Sequence, residues 1–323
     1  MRKFLSPLAV LLALGLTSCG TETAPAPHMS GQGIEVENCG NSYTFDQAPE
    51  HIALMKSAAV PTLDALGVLD QVVAKAGAFP QGYYDAELEK RVEKIPTLSD
   101  KIDASGHVLI SKEIVVAANP DIVLGETDTI NRASMAASNV PVLEEPVFCG
   151  ALTGDVSFDD VWSQISTYGT VFDRSTEADA YVAELQIRVA DLEARVIDSD
   201  KTVAVLYPTI GGGVTYAYGR GSMANPVVEK AGLHNVFDTQ SERIFEVTAE
   251  ELIARNPDYI IVLHSDGDPA DVVAEIGHLQ GSAALSALQE GKVLPMLMNF
   301  AEPPTPLAVD GFEQVINFVE THP

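Results

Sequence analysis

The feature that most constrains this chain is a segment that occurs twice. Ser111-Lys112-Glu113-Ile114-Val115-Val116-Ala117-Ala118-Asn119-Pro120-Asp121-Ile122-Val123-Leu124 lies over Thr248-Ala249-Glu250-Glu251-Leu252-Ile253-Ala254-Arg255-Asn256-Pro257-Asp258-Tyr259-Ile260-Ile261 at a constant offset. In each copy a Ser or Thr stands where it can cap a short amphipathic helix, Asn-Pro-Asp stops that helix, and an apolar run follows as a buried strand. Proline ends the helix because it bars the preceding residue from helical geometry. Each copy therefore reads as a helix, turn and strand of an α/β layer.

Further strands fit residues 52–55, 72–76 and 140–143 in the first half and 202–207, 214–218 and 293–296 in the second, with helical patterns alternating between them. Such alternation predicts two α/β, Rossmann-like lobes, each with a mainly parallel sheet covered on both faces. Between them, residues 176–196 carry apolar side chains at Ala180, Val182, Leu185, Val189, Leu192 and Val196, with no Gly or Pro. This spacing predicts one long helix, and the repeat on either side favours a rigid bridge between the lobes, the alternative being an ordinary surface helix inside one domain. The expected divisions are an N-terminal lobe over 34–172, a linking helix over 173–199 and a C-terminal lobe over 200–323, with a ligand cleft between the lobes.

The start of the chain reads as an export signal. Arg2 and Lys3 precede an apolar stretch over 8–16, followed by Leu16-Thr17-Ser18-Cys19-Gly20. That stretch is far shorter than the ~20 residues a helix needs to cross a bilayer. Leu-Thr-Ser-Cys resembles the lipobox of bacterial lipoproteins, which implies a signal peptide over 1–18, lipidation at Cys19 and a small, polar, Pro-rich tether over 19–33. An extracytoplasmic, lipid-anchored protein at the cell membrane is expected. Of the three cysteines, the anchor leaves Cys39 and Cys149. Outside the cytoplasm two leftover thiols usually pair, so a disulfide is expected, the alternative being two separately buried thiols. With 46 acidic residues against 19 basic ones, a net charge of -27 argues against nucleic acid or an anionic lipid surface as partner.

The chain resembles the substrate-binding proteins of ABC importers that carry iron-siderophores, haem and cobalamin. The residues concerned are Pro49-Glu50-His51-Ile52-Ala53-Leu54, Thr62-Leu63-Asp64-Ala65-Leu66-Gly67, both Asn-Pro-Asp units, Val227-Val228-Glu229-Lys230-Ala231-Gly232-Leu233-His234-Asn235-Val236-Phe237 and Gly291-Lys292-Val293. Cys39-Gly40, Thr97-Leu98-Ser99-Asp100 and Cys149 look like an iron-uptake branch of that family. The resemblance implies a monomeric receptor without catalysis that captures a ferric siderophore, with no intrinsic cofactor, and delivers it to the transmembrane subunits of a permease. Haem or cobalamin is the alternative ligand. It also implies that a glutamate on each lobe, Glu113 and Glu250, docks into basic pockets of the permease. Acidic residues in a first helical turn are also favoured by the helix dipole alone, and Glu251 competes with Glu250.

In open α/β sheets ligands bind beyond the carboxyl ends of strands. That rule selects Lys56 and Ser57, the loop over 77–84, residues 125–127, 207–209, 216–220 and 264–266, and Asn299, Phe300 and Glu302. Within it, the expected ligand-binding set is Ser57, Phe79, Tyr83, Tyr84, Glu126, Tyr207, Tyr216, Tyr218, Arg220, Arg243, His264 and Phe300. The aromatics offer flat faces with polar tips. The resemblance implies a role for the two arginines, because relatives that take anionic iron chelates commonly hold them through arginines; the alternative for either is a surface salt bridge with one of the many nearby acids. Only His264 among the seven His sits at a strand's cleft end, so a multi-histidine metal site is not expected, and no segment has calcium-loop spacing. Gly211-Gly212-Gly213 lacks the Lys and Ser/Thr of a phosphate loop and reads as a turn between strands. Ser57, Ser222 and Ser265 lack a nucleophile elbow, which leaves a lipoprotein hydrolase as the weaker reading from another class.

Overall fold

A computed structural model describes residues 33–102, 107–152, 154–197 and 199–323, so the expected signal segment, Cys19 and the tether up to residue 32 lie outside the described residues. An antiparallel hairpin of β1 (Ile34–Asn38) and β2 (Asn41–Phe45) opens the first lobe. Its sheet holds β3 (Ile52–Leu54), β4 (Val72–Ala76), β5 (Thr97–Ser99), β6 (Ile122–Leu124) and β7 (Val142–Leu143) in the order β5-β4-β3-β6-β7, all parallel. Ile52, Ala53, Leu54, Ile122 and Val123 are fully buried, as a strand covered on both faces requires. The helices are α1 (Val60–Ala65), α2 (Ala86–Glu93), α3 (Lys112–Ala117), α4 (Arg132–Met135) and α5 (Phe158–Val171).

α6 (Ser175–Glu193) follows and packs against α5 on one side and the C-terminal helix on the other. It buries Ala178, Leu185, Val189 and Leu192. Each large apolar side chain so buried contributes roughly 1.5–3 kcal/mol. The second lobe comprises β8 (Thr202–Pro208), β9 (Thr215–Tyr218), α7 (Ala224–Lys230), β10 (His234–Asn235), β11 (Ile244–Val247), α8 (Ala249–Arg255), β12 (Tyr259–His264), α9 (Pro269–His278), α10 (Ser286–Gln289), β13 (Val293–Leu297) and α11 (Leu307–Thr321). Its sheet runs β11-β9-β8-β12-β13, with β10 also on β8. β9 and β11 are antiparallel, so this sheet is mixed where the first is wholly parallel. The three glycines form the turn of the β8–β9 hairpin. Arg188 pairs with Asp310 (2.7 Å) and Glu313 (2.5 Å), and Arg195, just past the end of α6, with Glu320 (2.8 Å), fastening α6 and the turn after it to α11.

Both copies of the repeat end in the same way, and proline is only part of it. Asn119 (φ 51°) and Asn256 (φ 40°) adopt the left-handed conformation that asparagine tolerates. The aspartate after each proline then stitches its strand to the neighbouring one. Asp121 Oδ2 accepts the N–H groups of Glu50 and His51 (both 3.0 Å) at the entry to β3. Asp258 Oδ2 accepts the N–H (2.9 Å) and hydroxyl (2.8 Å) of Thr202 at the start of β8. The caps differ. Thr248 accepts the N–H of Glu251 at 3.1 Å, whereas Ser111 caps no backbone group and its hydroxyl bonds the Glu113 carboxylate instead.

Candidate functional site

A cleft of about 720 Å³ lies between the lobes, at the carboxyl ends of β3, β4, β6 and β7 on one side and β8, β12 and β13 on the other. At its base the lobes are hydrogen-bonded. The Asn299 N–H donates to Tyr83 Oη (3.1 Å) and its Nδ2 to Ser57 Oγ (2.9 Å). Tyr84 Oη donates to the Ser57 carbonyl (2.8 Å), and the Phe300 ring meets Tyr83 edge-on at 5.4 Å. The turn that presents Asn299 is backed by α11 at Gly311, where a Cβ would stand 1.8 Å from the Phe300 carbonyl oxygen. Burial raises the Tyr83 and Tyr84 hydroxyls above their ordinary range, so both act as neutral hydrogen-bonding groups.

One wall is built on Phe148. Lys56 Nζ lies 4.1 Å from its ring centroid and the Arg243 guanidinium 5.2 Å from it, so a cation from each lobe converges on one ring. Each cation is held by a buried carboxylate. Lys56 bonds Glu144 Oε2 at 2.5 Å, and Arg243 bonds Glu302 Oε1 at 3.4 Å. Glu144 is fixed in turn by the N–H groups of Glu126 (2.9 Å) and Glu145 (2.7 Å). Gly125 makes room for the lysine stem: its φ of 94° suits glycine, and a Cβ there would lie 3.0 Å from Lys56 Cγ. Burial pushes the Glu302 carboxyl up to about 7, against the lowering effects of Arg243 and the Met223 N–H.

The structure separates the sequence-derived residues into two groups. Ser57, Tyr83, Glu126, Tyr207, Tyr216 and Arg243 line the cleft, and Tyr218 stands fully buried in its wall. The Tyr218 hydroxyl is buried with no hydrogen-bonding partner among the described residues. Phe79, Tyr84, Arg220, His264 and Phe300 do not line it. Phe79 sits under Lys75 Nζ (5.0 Å), Tyr84 and Phe300 are packed behind Tyr83, and Arg220 pairs with Asp155. His264 lines a smaller neighbouring recess of about 240 Å³ with Ser265 and Tyr207, its Nδ1 3.1 Å from the Asp266 carbonyl. Reading the sequence for strand ends passed over Glu144 and Phe148, although both follow β7 and the same rule selects that segment. Cys39, in the β1–β2 turn, is disulfide-bonded to Cys149, which anchors the backbone beside Phe148. Among the described residues no group of three or more His, Cys, Asp or Glu is placed to hold a metal ion, and no helix is long and apolar enough to cross a membrane.

Two α/β lobes on either side of a polar and aromatic cleft, braced by a long helix, define a solute-binding protein. Residues 52–296 match the family described as Periplasmic binding protein, and the chain belongs to that family. A solved structure from Saccharomonospora viridis DSM 43017, described as an ABC-type Fe3+-hydroxamate transport system, is 47% identical with a TM-score of 0.85, over 89% of this chain and 99% of that one. The Iron-uptake system-binding protein of Bacillus subtilis (strain 168) is 22% identical over 93% of this chain and 91% of its own length. A periplasmic binding protein from Veillonella parvula dsm 2008 shares the fold, with a TM-score of 0.73 at 18% identity over 90% of this chain and 99% of that one.

Proposed function

We propose that this chain captures a ferric siderophore outside the cytoplasm and delivers it to the transmembrane subunits of an ABC importer. The observation that carries the reading is the inter-lobe cleft of about 720 Å³, floored by tyrosines, in a chain 47% identical to a protein described as an Fe3+-hydroxamate transport component. That volume falls within the range of small-molecule sites. The ligand-binding set in this reading is Ser57, Tyr83, Glu126, Tyr207, Tyr216, Tyr218 and Arg243, joined by Lys56 and Phe148. Residues 34–172 and 200–323 act as the two lobes, and 173–199 as the brace that limits their relative motion. Cys19 carries a lipid that holds the monomeric receptor at the cell membrane. Glu113 and Glu250, each exposed in the first turn of a short helix, are the docking points.

Native mass spectrometry of the protein purified from its own host tests the ligand. An iron-bearing adduct, with saturable quenching of intrinsic fluorescence by the extracted compound, is the expected result. A cobalt-bearing adduct, or an iron-free ligand released from the cleft, overturns the assignment.

A further inference from the structure

The charges around the cleft are already spent on one another. Its lining holds two permanently charged basic side chains, Lys56 and Arg243, and the imidazole of His107, against three acidic ones, Glu126, Asp128 and Glu144. Lys56 is bound to Glu144 and Arg243 to Glu302, which is fully buried behind it. Both cations also have the face of Phe148 beside them and keep only about a third of the side chain exposed, so the charge either offers an incoming anion is already partly neutralised. Asp128 is 77% exposed at the cleft edge, facing His107 at 3.8 Å, and Glu126 reaches Arg132 at 3.4 Å. The whole chain adds a net charge of -27. A site of this kind repels anions approaching from solution and concentrates cations. An anionic guest would also have to displace a buried carboxylate from its cation, leaving that carboxylate unpaired, which is costly.

We infer that the cleft selects a ferric complex with no net negative charge: a neutral or cationic chelate, such as one built from three hydroxamates, whose single negative charges cancel those of the ferric ion. This rests on the iron reading above and narrows it. The rest of the lining is uncharged, with Tyr207 and Tyr216 beside Ala58, Thr209, Ile244 and Met298, and suits a guest whose charge is cancelled internally.

The test holds the iron centre constant and changes only charge. Ferrioxamine B carries one positive charge through a free ammonium; its N-acetylated form is neutral, and its N-succinylated form carries one negative charge. Fluorescence titration of the purified chain at low salt is expected to give affinities for the first two at least about tenfold tighter than for the third. Added salt is expected to narrow the gap between the charged forms. In Glu302→Gln, which leaves Arg243 without its counter-charge, the succinylated form gains at least about tenfold relative to the others when the titration is run at pH 8, where the parent carboxyl is ionised. Equal or tighter binding of the succinylated form by the unaltered chain overturns this inference and leaves the iron reading intact. Binding of none of the three, nor of a ferric tricatecholate, overturns the iron reading and this inference with it.

Discussion

Arg220 Nε lies 2.7 Å from Asp155 Oδ1, an ion pair that joins the second lobe to the segment leading into α5. It lies outside the cleft lining, whereas Arg243 is part of it. The two arginines that the sequence singles out together therefore do different work. With side chains 44% and 66% exposed, the Arg220–Asp155 pair contributes no more than about 1 kcal/mol. Arg220→Ala is expected to leave affinity for a neutral ferric trihydroxamate within about twofold, while Arg243→Ala, which removes one support of Phe148, weakens it at least about tenfold. Fluorescence titration of both variants decides the matter, and equal losses would return Arg220 to the binding set.

A second prediction concerns Glu145, buried behind Glu144 and accepting hydrogen bonds from Gln164 Nε2 (3.2 Å) and Tyr168 Oη (3.0 Å). Burial raises its carboxyl from the ordinary 4.5 to about 7. Between those values the folded chain holds a proton that the unfolded chain has released, so the stability from this group falls as pH rises through that window. Glu145→Gln keeps the neutral form throughout. The variant is expected to be more stable than the parent by about 1–3 kcal/mol at pH 8 and not at pH 4.5. Urea denaturation at both pH values measures it; a gain of equal size at both would show that packing, not titration, is responsible.

The Cys39–Cys149 disulfide closes a loop with a sequence separation of 110. Chain-entropy arguments for a loop of that order give about 4–5 kcal/mol, and natural disulfides deliver roughly 2–5 kcal/mol. Reduction should lower the denaturation midpoint accordingly. Because Phe148 adjoins Cys149, it should also weaken ligand binding before the chain unfolds. A reduced protein with the same midpoint and affinity would contradict both expectations.

How much of this was legible in advance follows from the range of the interactions involved. The repeat was readable because cap, stop and strand lie within one short segment, and the strand-end rule found Ser57 and Tyr207 from position alone; Tyr216 reaches the cleft from the amino end of β9, which runs antiparallel. The β1–β2 hairpin was missed, although Ile34-Glu35-Val36-Glu37 alternates as a half-buried strand does. The direction of a side chain at a strand end was not readable. Tyr83 and Tyr84 are neighbours, yet only Tyr83 lines the cleft, because Asn299 from the other lobe holds its hydroxyl while Tyr84 bonds back to Ser57. The pairing of Arg220 with Asp155 and of Arg243 with Glu302 likewise depends on contacts between residues distant in sequence.

The proposed docking points carry the last prediction. The Glu113 carboxyl is held below the usual range by its own N–H and the Ser111 hydroxyl, so it stays ionised in mildly acidic surroundings. In the second lobe, Glu251 is engaged: its N–H bonds Thr248 (3.1 Å) and its carboxylate pairs with Arg255 (2.9 Å). Glu250 is exposed and makes no ion pair among the described residues, which leaves it available to a basic pocket on a partner. Glu113→Ala combined with Glu250→Ala is expected to reduce uptake of labelled ferric chelate by cells at least about tenfold while ligand affinity stays within about twofold. Glu251→Ala, tested alongside, should lose the Arg255 pair and retain uptake. Normal transport by the double variant would remove the docking role from both glutamates, and loss of transport in Glu251→Ala alone would transfer it to that neighbour.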